Sequence, residues 1–382
     1  MGGAEQILER LMDYLTPRHE ITVYTSNAIN LESFWNDKLK TANDLQTKKY
    51  SIKRFDVLQP HLVSDDLIQH PLSVSYPGPF CPQMWNDLLD MRDKTDLMIA
   101  SSFPYDHMIP AFVASKKYKI PFVVIPFLHL QYPEYYFTGT KLAILNDSDA
   151  IIVMTNVEKQ ALLDHNISEE KIHIIPGMID MNDHGQRKDL RNELKIDQDS
   201  VLVLFAGTMS YAKGVIHLVE ALKKLWAKSP KFDLVLLGTN TVEFNEYIKK
   251  QSESILLHIH NLGVVSDDVK WDAFFSCDVF AMPSQSESLG LVYLEAWKFK
   301  KPVIGCNIPS VSEVIDDNVN GMLIPFGDVV KLYNSIEKLQ DDALRQQMGQ
   351  KGYEKLKNFY DANMTCDKFE SLCTKIQTKK LL

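Results

Sequence analysis

Pro283-Ser-Gln-Ser-Glu-Ser-Leu-Gly-Leu-Val-Tyr-Leu-Glu-Ala296 reads as the mouth of a strand–loop–helix unit, with Glu287 and Glu295 on either side of seven residues. The small-residue loop brings the N–H groups of Ser288, Leu289, Gly290 and Leu291 to the opening of a helix, where the backbone dipole favours an anion. The two carboxylates can accept hydrogen bonds from hydroxyls. Amide donors beside carboxylate acceptors suit a ligand that carries both a sugar and a phosphate. Two glutamates near a helix start are common on ordinary surfaces. Here Pro283-Ser lies before them and Ala296, then Lys301-Pro-Val-Ile, after them, and that context favours a site.

Working outward, short β-rich runs alternate with amphipathic helices along most of the chain, the pattern of parallel α/β sheets. In the first half the strand candidates are Glu20–Thr25, Tyr50–Phe55, Leu97–Ser101, Pro121–Pro126, Ala150–Met154 and Lys171–Ile175. A second series starts at Val201–Ala206 and runs through Asp233–Leu237, Leu256–His260, Asp278–Met282, Pro302–Gly305 and Gly321–Pro325. The polar stretch Asn182–Arg191 separates them. These spacings predict two doubly wound, Rossmann-like domains, residues 1–181 and 190–357, facing a cleft. A C-terminal helix over 358–382 is expected to pack back toward the first domain. Gly2-Gly3-Ala4-Glu5 leads straight into a helical pattern (Ile7, Leu8, Leu11, Met12, Leu15), so the first domain is expected to lack its usual first strand, with the true start upstream.

A second loop has the same character. In Phe205-Ala-Gly-Thr-Met-Ser-Tyr-Ala-Lys-Gly214 a buried strand ends, a turn follows, and Lys213-Gly214 is expected to start a helix. A lysine there opposes the helix dipole, and a diphosphate between the two would remove the conflict. A solvent-exposed lysine is the equal alternative on this segment alone.

Composition bounds the chemistry. The chain has 382 residues, 45% apolar and 24% charged, as in a soluble globular protein of two domains. A net charge of −9 argues against a general nucleic-acid binder. Five scattered cysteines without a C-x-x-C pair, no run of roughly 18 apolar residues and no signal-peptide pattern predict a cytoplasmic protein, with room for peripheral membrane contact. No metal-ligand cluster stands out.

With these landmarks in order, the chain resembles the retaining glycosyltransferases of family 4, which have the GT-B fold. Gly2-Gly3-Ala4-Glu5 is similar to the family's N-terminal glycine loop, Phe205–Gly214 to its diphosphate-binding turn, and Glu287–Glu295 to its Glu-x7-Glu signature. Asp316–Asp328 resembles the closing segment, and Ala150–Thr155 and Ile175–Asp180 the strand endings before the linker. The resemblance implies that Gly2 and Gly3 meet the donor phosphates, that Gly207 and Thr208 line the diphosphate turn, and that Lys213 neutralises the departing diphosphate. It implies that Glu287 holds the transferred sugar, that Ser288, Leu289, Gly290 and Leu291 lend amides, and that Glu295 binds the ribose. His129, after a strand, would face the donor sugar; a lone loop histidine is as often structural.

The chain departs from the family at Thr208, where an arginine is usual, which removes a bidentate phosphate clamp. The expected activity is metal-independent, retaining transfer of a sugar from a UDP- or GDP-linked donor to a glycan, lipid or small-glycoside hydroxyl. No further cofactor and no nucleic-acid partner are expected. The rival readings are a catalytically impaired sugar-nucleotide-binding subunit and a GT-B phosphorylase or epimerase.

Overall fold

In a computed structural model of the chain, residues 3–28, 45–46, 49–57, 78–91, 94–182, 186–229 and 231–381 are described. The chain forms two compact units: Met1–Pro176 together with Asn363–Leu382, and Gly177–Ala362.

The first unit contains two sheets. In one, β1 (Thr22–Ser26) pairs in parallel with β3 (Ser51–Phe55), which also takes the short antiparallel β2 (Leu45–Gln46). In the other, β4 (Met98–Ser101), β5 (Phe122–Ile125), β6 (Ala150–Val153) and β7 (Ile172–Ile174) follow one another in parallel. β5 and β6 are buried along their whole length, as their unbroken Phe-Val-Val-Ile and Ala-Ile-Ile-Val runs require of strands covered on both faces. Among the described residues no strand joins β1 to β4, so each keeps one open edge. The helix Gly3–Leu15 buries Ile7, Leu11 and Leu15 along one stripe. The helix Ala362–Leu381 belongs to this unit and buries Cys366, Phe369 and Cys373. Arg18 Nε donates to Glu370 Oε1 at 2.9 Å, and Tyr14 donates to Asp367.

The second unit holds one six-stranded, wholly parallel sheet: β8 (Val201–Ala206), β9 (Phe232–Leu237), β10 (Ile259–Gly263), β11 (Val279–Ala281), β12 (Val303–Cys306) and β13 (Gly321–Ile324). Their order is β10-β9-β8-β11-β12-β13, the doubly wound arrangement in which strand order reverses between β8 and β11. β8 and β9 are buried at all six positions. One strand differs from expectation. Leu256–His260 is split: Glu253–Leu256 is a short helix, and β10 begins three residues later. β10 is the edge strand and only half-buried, so Ile-His-Asn-Leu-Gly carries no apolar run, while Leu256 and Leu257 are exposed.

Candidate functional site

Ligands of doubly wound sheets bind beyond the carboxyl ends of the strands, at the point where strand order reverses. Here that point lies between β8 and β11, so the loops that follow these two strands define the candidate site. Both were singled out by sequence.

The loop after β8 is fixed by the end of β9 and by a turn of its own. Gly207 N–H donates to the Leu237 carbonyl at 2.9 Å, and Met209 N–H to that of Thr239 at 2.8 Å. Ser210 Oγ accepts from Lys213 N–H at 3.3 Å and so caps a tight turn, Tyr211–Lys213. Gly214 follows in the left-handed region (φ 79°), and the helix runs from Val215 to Trp226. Lys213 therefore precedes the helix rather than starting it, because the serine cap closes a separate turn that the glycine then breaks. Thr208 is exposed.

The loop after β11 rests against the first. Gln285 N–H donates to the Ala212 carbonyl at 2.7 Å. A Cβ on Gly214 would stand 2.3 Å from the Pro283 carbonyl oxygen, so the two backbones meet where only glycine fits. Below them, the buried Tyr293 hydroxyl donates to the Met282 carbonyl at 2.6 Å, and burial holds that phenol well above its ordinary pKa, hence neutral and a donor. Ser310 Oγ donates to the Glu287 carbonyl at 2.6 Å. Gly290, again left-handed (φ 83°), turns the chain into the helix Leu291–Lys298.

These constraints bring two of the predicted groups, Lys213 and Glu287, together. Lys213 Nζ lies 2.7 Å from Glu287 Oε1, in a pair whose carboxylate is only 11% exposed. Beside it the N–H groups of Leu289, Gly290 and Leu291 meet no acceptor among the described residues. Glu295 is buried, at 2% exposure, and accepts from Lys270 Nζ at 2.9 Å. The lysine is thus not the lone ammonium that the sequence suggested. It neutralises Glu287, and an arriving polyanion would share that cation while the open amides took its oxygens.

Gly3 and His129 belong to the other unit. Gly3 is the exposed first residue of its helix, and Gly2 lies outside the described residues. His129 is half-buried in the segment after β5, its ring 6.3 Å from that of Tyr136. The neighbouring Leu128 N–H donates to Glu158 Oε1 at 2.8 Å, and Glu158 Oε2 accepts from Met154 N–H at 2.7 Å. One buried carboxyl, pushed up to about 7 by its burial, so ties the histidine's segment to the end of β6. In the same unit Asp106 accepts from Gly78 N–H at 3.1 Å and from Lys141 Nζ at 3.2 Å.

Sequence reasoning missed Lys270, Tyr293 and Ser310. Lys270 comes from the helix Asp267–Ser276, which follows the edge strand β10, and its position one turn into a helix at a strand's carboxyl end was the one available signal.

Comparison with known proteins gives a concordant result. Residues 186–355 match the family described as glycosyl transferases group 1, and residues 1–183 match glycosyltransferase family 4. An uncharacterized 41.2 kDa protein in the cps region of Klebsiella pneumoniae is 31% identical over 194 residues, 50% of this chain and 51% of that protein. The capsular polysaccharide biosynthesis glycosyltransferase CapM of Staphylococcus aureus is 22% identical over 245 residues, 61% of this chain and 63% of its own. The chain thus spans about half to two thirds of the length of these relatives in the matched region. The crystal structure of HepE from Anabaena, in complex with UDP and glucose, superposes with a TM-score of 0.71 over 98% of this chain and 96% of that one at 19% identity, a likeness of fold.

Proposed function

The chain belongs to the group 1, family 4 glycosyltransferases, and from that premise we propose that it moves a sugar from a nucleoside-diphosphate sugar to an acceptor hydroxyl with retention at the anomeric carbon. The observation that carries the proposal is the meeting of Lys213, Glu287 and the amides of Leu289–Leu291 at the switch point of the second unit's sheet.

In this reading the diphosphate lies over the helix Leu291–Lys298, its oxygens on the open amides and on Lys213. Glu287 accepts hydrogen bonds from the sugar hydroxyls, and Glu295 takes the vicinal hydroxyls of the ribose. The acceptor oxygen forms a bond to the anomeric carbon on the face from which the diphosphate leaves. The broken C–O pair goes to the leaving phosphate, whose oxygen also receives the acceptor's proton. Fixed donors aimed at that developing charge lower the barrier without a resident metal, since the ammonium and the helix N-terminus supply the positive potential. HepE, solved with UDP and glucose, supports a uridine-linked donor, with GDP as the alternative base, and CapM's role in capsular polysaccharide supports a glycan acceptor.

Lys213→Ala should reduce turnover about 100- to 1,000-fold, the loss found when one oriented donor to a transition-state anion is removed. Glu287→Ala should raise the donor KM and lower kcat together. Product NMR should show the donor's anomeric configuration. Wild-type transfer by both variants would overturn the site, and an inverted product would overturn retention. The exposed Thr208, where a phosphate-clamping arginine is expected, favours one second reading, a donor-binding subunit; tight binding of UDP-glucose or GDP-mannose with no transfer to any glycan would select it.

A further inference from the structure

The C-terminal helix Ala362–Leu381 keeps its charges on separate faces. Its acids Asp367 and Glu370 are engaged within the first unit: Asp367 accepts from Tyr14, and Glu370 accepts from Arg18 and pairs with His19 at 2.7 Å. Lys368, Leu372, Lys375 and Lys379 recur at helical spacing, so they share another face. The three lysines are exposed and meet no ion-pair or hydrogen-bond partner among the described residues. That face borders an open cavity of about 380 Å³, lined by Lys368 and Leu372, by residues 172–175 and by Lys159 of the helix Asn156–Asp164. The floor is apolar and covered, with Ile172 and Ile175 each 6% exposed, while Ile174 is 37% exposed. Lys159, on the rim, is shared with Glu169 at 2.6 Å. β7 is the last strand of its sheet, so it pairs with β6 and with no other strand among the described residues.

We propose that this cavity receives an extended, acidic segment of a protein partner, its carboxylates on Lys368, Lys375 and Lys379 and an apolar side chain on the isoleucine floor. The chain as a whole carries a charge of −9, so a row of unpaired ammonium groups is a local exception that selects an acidic ligand. The edge of β7 offers main-chain partners to a segment that lies along it as a further strand. An anionic bilayer would also attract a row of lysines. Here the apolar residues lie behind the ammonium groups as a floor, whereas a membrane-bound face must project them into the lipid. The surface lies wholly in the first unit and is independent of the nucleotide-sugar reading.

The test is fluorescence anisotropy of a fluorescein-labelled peptide, Glu-Asp-Glu-Leu-Asp-Glu-Asp, titrated with the full chain. Two comparison peptides carry serine in place of leucine, or lysine in place of every acid. The wild type should bind the first peptide with a Kd on the order of 10–100 μM in about 50 mM salt, and about tenfold more weakly in about 500 mM. Lys368→Gln/Lys375→Gln should weaken binding about tenfold, and Lys368→Glu/Lys375→Glu about 100-fold. Both variants change exposed side chains and should melt within about 2 °C of the wild type. The serine peptide should bind about fivefold more weakly than the leucine peptide, and the lysine peptide not at all. Hydrogen exchange at residues 172–174 should slow when the acidic peptide is bound, the sign of an added strand. Equal affinity of the wild type and the glutamate variant, equal affinity for the leucine and serine peptides, or unchanged exchange along β7 would each overturn the proposal. So would a wild type that binds no peptide, or one that binds vesicles of phosphatidylcholine and phosphatidylglycerol through these lysines and leaves the peptide free, which would make the face a lipid surface.

Discussion

Gly214→Ala would insert one methyl group between the two loops that make the site. The cost has two parts. Gly214 has φ 79°, and an L-residue held in the left-handed region costs roughly 1–2 kcal/mol. The new Cβ would lie 2.3 Å from the Pro283 carbonyl oxygen and 2.8 Å from Pro283 Cγ, where ordinary contacts begin at 3.4 Å. The nearest obstacle is backbone, so the loops must part by about 1 Å, a strain like that of overpacking, roughly 1–3 kcal/mol. Together these give about 2–5 kcal/mol against the unit Gly177–Ala362, equivalent to a melting transition lowered by about 5–15 °C. The Gln285–Ala212 hydrogen bond crosses the same seam, so affinity for UDP or GDP should fall as well. Differential scanning calorimetry with and without nucleotide measures both effects. Gly139→Ala is the control: that glycine opens a helix and a Cβ there would meet nothing within 4 Å, so its transition should move by less than about 2 °C. If the two variants melt alike, the claimed contact between the loops is wrong.

Three other outcomes follow from named groups. Burial raises the Glu158 carboxyl from 4.5 to about 7 in the folded protein, so the stability tied to its proton is complete below about pH 4.5 and lost as pH rises to about 7. The loss is on the order of 3 kcal/mol, and urea unfolding followed across that window should show a slope that Glu158→Gln flattens; an unchanged slope would refute the assignment. Phe369→Ala removes a side chain buried at 2% exposure and should destabilise the first unit by about 3–5 kcal/mol, read from its calorimetric transition. Since Lys213 and the helix N-terminus are proposed to supply the positive potential at the diphosphate, transfer should survive prolonged EDTA within about twofold; abolition by EDTA and rescue by a divalent cation would contradict this.

The legible parts of the molecule are those where one physical requirement dominates. Val201–Ala206 and Ala150–Val153 must be apolar at every position because both of their faces are covered, so they could be placed from their letters. The edge strand β10 has no such requirement, and its sequence was misread toward the apolar Leu256-Leu257. The Glu287–Glu295 segment stands out in the sequence because its small-residue loop and paired carboxylates follow no packing pattern. What the letters did not show was who pairs with whom. Lys213 with Glu287 and Lys270 with Glu295 are matches across 74 and 25 residues of chain, and no local pattern encodes them. Lys213 was misplaced onto its helix for a smaller reason, since the serine that caps its turn competes for the same amide.

The path of the chain out of the second unit and back into the first constrains the order in which the protein can be completed. Tyr14 and Asp367 are 353 positions apart, yet they belong to one unit, as do Arg18 and Glu370. A ribosome that has finished the early segments has not yet made the helix on which they close, whereas everything from Gly177 to Ala362 is available as one uninterrupted stretch. The half synthesised first is therefore the half finished last, and a premature stop just before Asn363 would damage the beginning of the molecule while sparing its middle.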